Sequence, residues 1–226
     1  MTREPEPARL GLFGGTFNPI HLGHLRAAEE VVEALGLERL LFLPAAAPPH
    51  KREQAGGELA PAAERLRWVR LAIADNPRFD VETAELERGG PSYSVETLRA
   101  VAPRVAPGRP WFVIGSDAFA EIDTWREPEA VLSLAHFAVV TRPPRLAHSL
   151  EGCLPASLRP RFVLEPDGRS GRHREAGTRL RLLRITALDV SASDVRARLR
   201  EGRSVRYLLP EAVHDAVVKS GLYRDA

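Results

Sequence analysis

An α/β fold is what the sequence predicts, built as a doubly wound, mostly parallel sheet and closed by C-terminal helices. Three observations carry this. Short apolar runs alternate with segments of helical period, the pattern of strands joined by helical crossovers. Runs such as WFVIG (111–115) and HFAVV (136–140) are apolar almost throughout, as strands covered on both faces are. The composition, 44% hydrophobic and 27% charged over 226 residues, is enough to bury a sizeable core. The chain reads as one domain, 1–226, without an internal repeat.

Taken in order, Leu10, Leu12 and Phe13 make a strand candidate that ends at Gly14 and Gly15, and Leu22, Leu25, Val32 and Leu35 then recur at helical spacing until Gly36. A second strand, 39–43, is halted by Pro44, and a loop rich in proline and glycine follows to about Leu59. Leu66, Val69, Leu71 and Ile73 supply the stripe of the next helix. Strands are expected at 79–82, 111–115 and 137–141, and helices at 94–102, 129–134 and in two C-terminal segments. Residues 142–178 show little periodicity and predict a long irregular connection or insertion. The basic stretch 169–184, six arginines against one glutamate, reads as a solvated, partly disordered loop.

Several function classes are disfavoured by composition. The N-terminus, MTREPEPARL, carries charges and prolines where a secretory leader has an apolar centre, and no run approaches the ~18 apolar residues of a membrane span. A cytoplasmic protein without a membrane partner is the expectation. A net charge of only +2 does not call for nucleic acid. Cys153 is the single cysteine, which excludes an internal disulfide and a cysteine-based zinc site.

The stretch GLFGGTFNPIHLGHL (11–25) carries the chemistry. Glycines directly after a strand let the backbone approach a ligand, and the helix that begins beyond them turns free N–H groups and partial positive charge toward it. Phosphate suits such a place. The stretch has neither the GxGxxG of dinucleotide folds nor the GKS/T ending of a P-loop. His21 and His24, three apart at a helix start, share a face beside the glycines. On residues alone the pair is open to four readings: phosphate ligands, surface histidines, one ring that caps the helix, or a metal pair. For the last, no recognisable spacing places a third ligand.

GGTFNPIHLGH resembles the glycine-rich turn and HxGH motif of the nucleotidyltransferase superfamily. DVSASDVRARLREG (189–202) is similar to that superfamily's ISxTxxR box, with Val190 for isoleucine and Ser193 for threonine. Ser191 and Ser193 precede an arginine-rich helix, so hydroxyls, N-terminal amides and Arg196 can converge on phosphate oxygens. Further segments resemble bacterial nicotinate-nucleotide adenylyltransferases in the same order: LPAAAPPHK, LAIADNPRF, ELERGGPSYSVETL, FVIGSDAF, IDTW, VVTRP and LLPEAVHDAVVKSGLY.

The resemblance implies a Rossmann-like nucleotidyltransferase fold, ATP and nicotinate mononucleotide as substrates, and Mg²⁺ arriving with ATP rather than on protein ligands. It implies catalytic roles for His21, His24 and Arg196, and phosphate contacts from Gly14, Gly15, Thr16, Ser191 and Ser193. Asp117 is placed to accept hydrogen bonds from ribose, with a helix N-cap as its alternative. Lys51 would meet the mononucleotide phosphate, Ser94 the nicotinate carboxylate, and Trp125 the pyridine ring, against core packing as the alternative. The family includes both monomers and homo-oligomers. Two other readings stand beside this one: another transferase of the superfamily, such as phosphopantetheine adenylyltransferase, and a nucleotide-binding module without catalysis.

Overall fold

The computed structural model describes residues 7–47, 59–141, 147–186 and 188–223. The elements run β1 (Leu10–Gly15), α1 (Leu22–Leu35), β2 (Arg39–Pro44), α2 (Ala62–Ile73), β3 (Phe79–Val81), α3 (Ala84–Arg88), α4 (Ser94–Val105), β4 (Trp111–Gly115) and α5 (Ser116–Phe119). They continue as α6 (Pro128–Leu134), β5 (His136–Thr141), α7 (Leu150–Cys153), β6 (Phe162–Leu164), β7 (Ser170–His173), β8 (Arg179–Arg184), α8 (Ala192–Arg200) and α9 (Glu211–Ser220). The strands form one sheet in the order β3-β2-β1-β4-β5-β8-β7-β6. β1 with β4, β4 with β5 and β5 with β8 are parallel, while β7 is antiparallel to both β6 and β8. The expected mostly parallel α/β sheet is therefore present. The order reverses between β1 and β4, the kind of switch point at which open α/β sheets bind ligands beyond the strand ends.

Contacts divide the chain into two compact units. One comprises the chain up to Phe13, Glu30–Leu40 and Tyr93–Thr186; the other comprises Gly14–Glu29, Leu41–Ser92 and the chain from Ala187. In the first, every residue of β5 is buried and β4 is buried through Ile114, which is why both read as unbroken apolar runs. Phe137 packs between Phe112 and Phe119 in this core, with tilted rings whose centroids lie 5.8 and 5.9 Å from its own. In the second, α2 packs on α9 and on β3. The buried face of α2 is Arg65, Trp68, Val69, Ala72 and Ile73, whereas Leu66 and Leu71 of the expected stripe are only half-buried.

The expected irregular insertion at 142–178 is instead structured within its described part. Residues 147–178 hold α7, β6 and β7, and the basic run 169–184, expected as a solvated loop, forms β7 and β8. The turn between β6 and β7 is closed by the Asp167 carboxylate, which accepts the N–H groups of Arg169 and Ser170, with Gly168 at a φ of 65°. β7 buries Gly171 and His173 rather than aliphatic side chains, so hydropathy gives no sign of a strand. In β8 Leu180 and Leu182 are buried, while Arg179 and Arg181 alternate with them on the more exposed face.

His136 opens β5 in a buried position, its Nδ1 accepting the Arg179 N–H at 2.9 Å. Burial, with Arg179 and Arg109 nearby, lowers its pKa to about 4. A group whose folded pKa lies below its unfolded value contributes stability at high pH and loses it as pH falls. Here the window runs from about 6.5 down to about 4, and the loss is roughly 3 kcal/mol at about 1.4 kcal/mol per unit. Urea unfolding at neutral pH and near the bottom of that window should show this drop, and His136→Gln, which keeps an acceptor but does not titrate, should show much less of it. An equal drop in both proteins would place the pH sensitivity elsewhere.

Candidate active site

The turn after β1, the HxGH segment and Arg196 fall in one unit from Gly14 onward. β1 ends at Gly14 and Gly15, and these with Thr16 are half-buried. A Cβ on Gly15 would lie 2.7 Å from the Phe17 ring, so only glycine lets the chain turn this tightly. Phe17 takes a left-handed φ of 48° and tucks its ring against Phe42, 5.6 Å between centroids. Asn18 is buried and secured on both sides: its Oδ1 accepts the Ala60 N–H and the Tyr223 hydroxyl.

His21 precedes α1 and is 2% exposed, while His24, on the first turn, is half-buried. Their rings stack with centroids 3.7 Å apart and planes 32° apart, so the shared face expected from the spacing is present. The His24 Nδ1 accepts the His21 N–H at 3.2 Å, which makes His24 a cap for the helix as well. An accepting Nδ1 carries no proton, so the proton of the neutral ring sits on Nε2, a donor suited to a phosphate oxygen. Between the two histidines, a Cβ on Gly23 would come within 3.0 Å of Val190 and 3.1 Å of the His21 ring. The glycine of HxGH is therefore needed for α1 to lie this close to the segment before α8.

That segment behaves as its residue types suggest. Ser191 is the N-cap of α8, accepting the Asp194 N–H at 3.1 Å. Ser193 accepts from Arg196 Nη2 at 3.4 Å, and Arg196 Nη1 donates to the Asn18 carbonyl at 2.9 Å. Arg196 is half-buried, and desolvation lowers its pKa. A guanidinium at this position stays charged throughout the range of ordinary assays. His21, His24, Thr16 and Arg196 are thus gathered around one turn, with Asn18 as the shared anchor.

Ser94, Asp117 and Trp125 belong to the other unit. Ser94 is the first residue of α4 and half-buried. Trp125 is half-buried, its ring edge-on to Phe112 at 6.2 Å. Arg126 joins the two segments: its guanidinium lies 4.7 Å over the Tyr93 ring and pairs with Glu96 at 3.2 Å. Asp117 is exposed in the first turn of α5, whose N-cap is Gly115, so the N-cap alternative for Asp117 does not hold. Its carboxylate folds back over Gly115, where an added Cβ would meet Oδ1 at 2.5 Å. Lys51 lies outside the described residues.

Sequence reasoning missed Asn18, Arg65, Tyr223, Tyr93 and Arg126. For Arg65 a signal existed: it stands three, four and seven residues before Trp68, Val69 and Ala72, on the buried face of its helix. A thiol nucleophile is disfavoured, since Cys153 is buried and burial raises its pKa to about 11.

Known proteins bear on this arrangement. The cytidylyltransferase-like family model matches residues 12–198. A Geotalea daltonii protein named "Probable nicotinate-nucleotide adenylyltransferase" is 43% identical over 96% of this chain and 99% of its own. A Citrifermentans bemidjiense protein of the same name is 44% identical over the same shares. Among solved structures, Plasmodium falciparum nicotinic acid mononucleotide adenylyltransferase complexed with NaAD matches with a TM-score of 0.69. That match has 16% identity and covers 95% of this chain and 96% of the other, a likeness of fold. With its parallel sheet, its glycine turn and stacked HxGH histidines, and near-complete alignment to these relatives, the chain belongs to the cytidylyltransferase-like family, among the nicotinate-nucleotide adenylyltransferases.

Proposed function

We propose that this protein transfers the adenylyl group of ATP to nicotinate mononucleotide, giving nicotinate adenine dinucleotide and pyrophosphate. The observation that carries the proposal is the turn itself: two stacked imidazoles, a helix N-terminus and Arg196 grouped around Thr16 and Asn18. An oxygen of the mononucleotide phosphate attacks the α-phosphorus of ATP. The bond from that phosphorus to the oxygen bridging to the β-phosphorus breaks, and pyrophosphate leaves with the electron pair. The nucleophile is already an anion, so the protein has little proton chemistry to do. Its task is to align two mutually repelling anions and stabilise charge on the departing oxygens.

In this reading Gly14, Gly15 and Thr16 bring backbone to the phosphates, and His21 and His24 donate to them. Ser191, Ser193 and Arg196 hold the distal end. Asp117 accepts from ribose, Ser94 and nearby amides face the nicotinate carboxylate, Trp125 stacks on the pyridine, and Lys51 meets the mononucleotide phosphate. ATP enters as its magnesium complex. Phosphates and water would be the ligands of that Mg²⁺, a coordination the ion tolerates.

Pyrophosphate release from MgATP with nicotinate mononucleotide, nicotinamide mononucleotide or phosphopantetheine tests the proposal. Nicotinate mononucleotide is expected to be the preferred acceptor by kcat/KM. Trp125→Ala should raise KM for it by about tenfold, the loss of one aromatic face, with little change in KM for ATP. Preference for phosphopantetheine would reassign the acceptor. ATP binding without release with any of the three would favour a binding module.

A further inference from the structure

Arg65, on α2, is the one arginine that is fully buried among the described residues. Its guanidinium is held by backbone alone. Nε donates to the Ala60 carbonyl at 3.0 Å, Nη1 to Thr16 at 2.7 Å and Nη2 to Ala46 at 3.1 Å. Those carbonyls come from three separate segments: the turn after β1, the chain after β2, and the approach to α2. No carboxylate pairs with Arg65 among the described residues, and burial lowers its pKa. A buried cation without a counter-ion is costly, and carbonyl dipoles offset only part of that cost. An apolar side chain in this face of α2, which otherwise carries Trp68, Val69 and Ala72, would leave those three carbonyls without this donor.

The Thr16 contact has a consequence for the turn. In a trans peptide unit the C=O and the following N–H point opposite ways. Drawing the Thr16 carbonyl toward the buried guanidinium therefore directs the Phe17 N–H away from it. The neighbouring Gly15 carbonyl is fixed too, accepting the Ala45 N–H at 3.0 Å. Both peptide units that follow the strand are thus oriented from beneath.

We propose that Arg65 is a positioning residue for the phosphate-binding turn, orienting the Thr16–Phe17 peptide unit and adding positive charge beneath a bound polyphosphate. This rests on the reading above that ATP phosphates occupy the turn. An anion there is attracted by the buried positive charge, so binding and burial of Arg65 support each other.

Calorimetric titration of wild type, Arg65→Lys and Arg65→Gln with MgATP and, separately, with nicotinate mononucleotide tests this, with thermal melts as the control on folding. Both variants are expected to fold and to bind ATP at least about tenfold more weakly, with affinity for the mononucleotide changed by less than about threefold. Lysine, which keeps the charge but cannot reach three carbonyls, should retain more ATP affinity than glutamine. A folded variant with ATP affinity within about twofold of wild type would overturn the inference. So would equal losses for the two ligands, or melting of both variants below the assay temperature, either of which assigns Arg65 to the fold alone. Failure of the functional reading is separable: it would appear as wild-type protein that binds ATP without releasing pyrophosphate.

Discussion

His24→Ala is expected to lower kcat by about a thousandfold while the protein stays folded, because a preorganised donor to transition-state charge is worth roughly that much. The His24 ring is doubly fixed, by stacking on His21 at 3.7 Å and by accepting the His21 N–H at Nδ1. Those contacts leave Nε2–H as the donor and remove the freedom it would otherwise lose at the moment of reaction. The substitution also removes a helix cap, worth about 1 kcal/mol, so a small fall in melting temperature should accompany the loss of turnover. Steady-state pyrophosphate release and a thermal melt on the same preparation measure both. Turnover within about tenfold of wild type would show that His24 is a cap and no more.

Arg196→Met should be nearly as damaging, with kcat/KM for ATP reduced by about a hundredfold or more. Arg196 spends one Nη1 donor on the Asn18 carbonyl and reaches Ser193 from Nη2, which sets the plane of its fork. Lysine carries the charge but cannot hold the Asn18 carbonyl and a phosphate in one plane, so Arg196→Lys should recover little. The defect should not vary with pH across the assay range, since the guanidinium is charged throughout. Recovery of ATP kcat/KM by lysine to within about threefold would reduce the role to charge alone.

Much of the fold was open to sequence reading because its central strands are buried on both faces and its helices are amphipathic. The β6–β7 hairpin was not, since it is short and buries Gly171 and His173, yet the EPDG turn between FVL and SGRH was a usable sign. The stripe of α2 was misread for a related reason: a hydropathy count passes over Arg65, although it is as fully buried as Trp68 and Val69 on that helix.

By itself, the sequence determined the alternation of strands and helices outside 142–178, the glycine turn after β1, the histidine pair and the serine-capped, arginine-bearing α8. These depend on spacing within one short stretch, where chain geometry dictates what faces what. Only the tertiary structure decided that Asn18 is held by Ala60, Tyr223 and Arg196, and that Arg65 reaches Ala60, Thr16 and Ala46. Those bonds span separations of up to 205 residues. A hydrogen bond needs only donor and acceptor within about 3 Å, and carbonyl acceptors are available on every residue, so no local pattern marks which of them will be used.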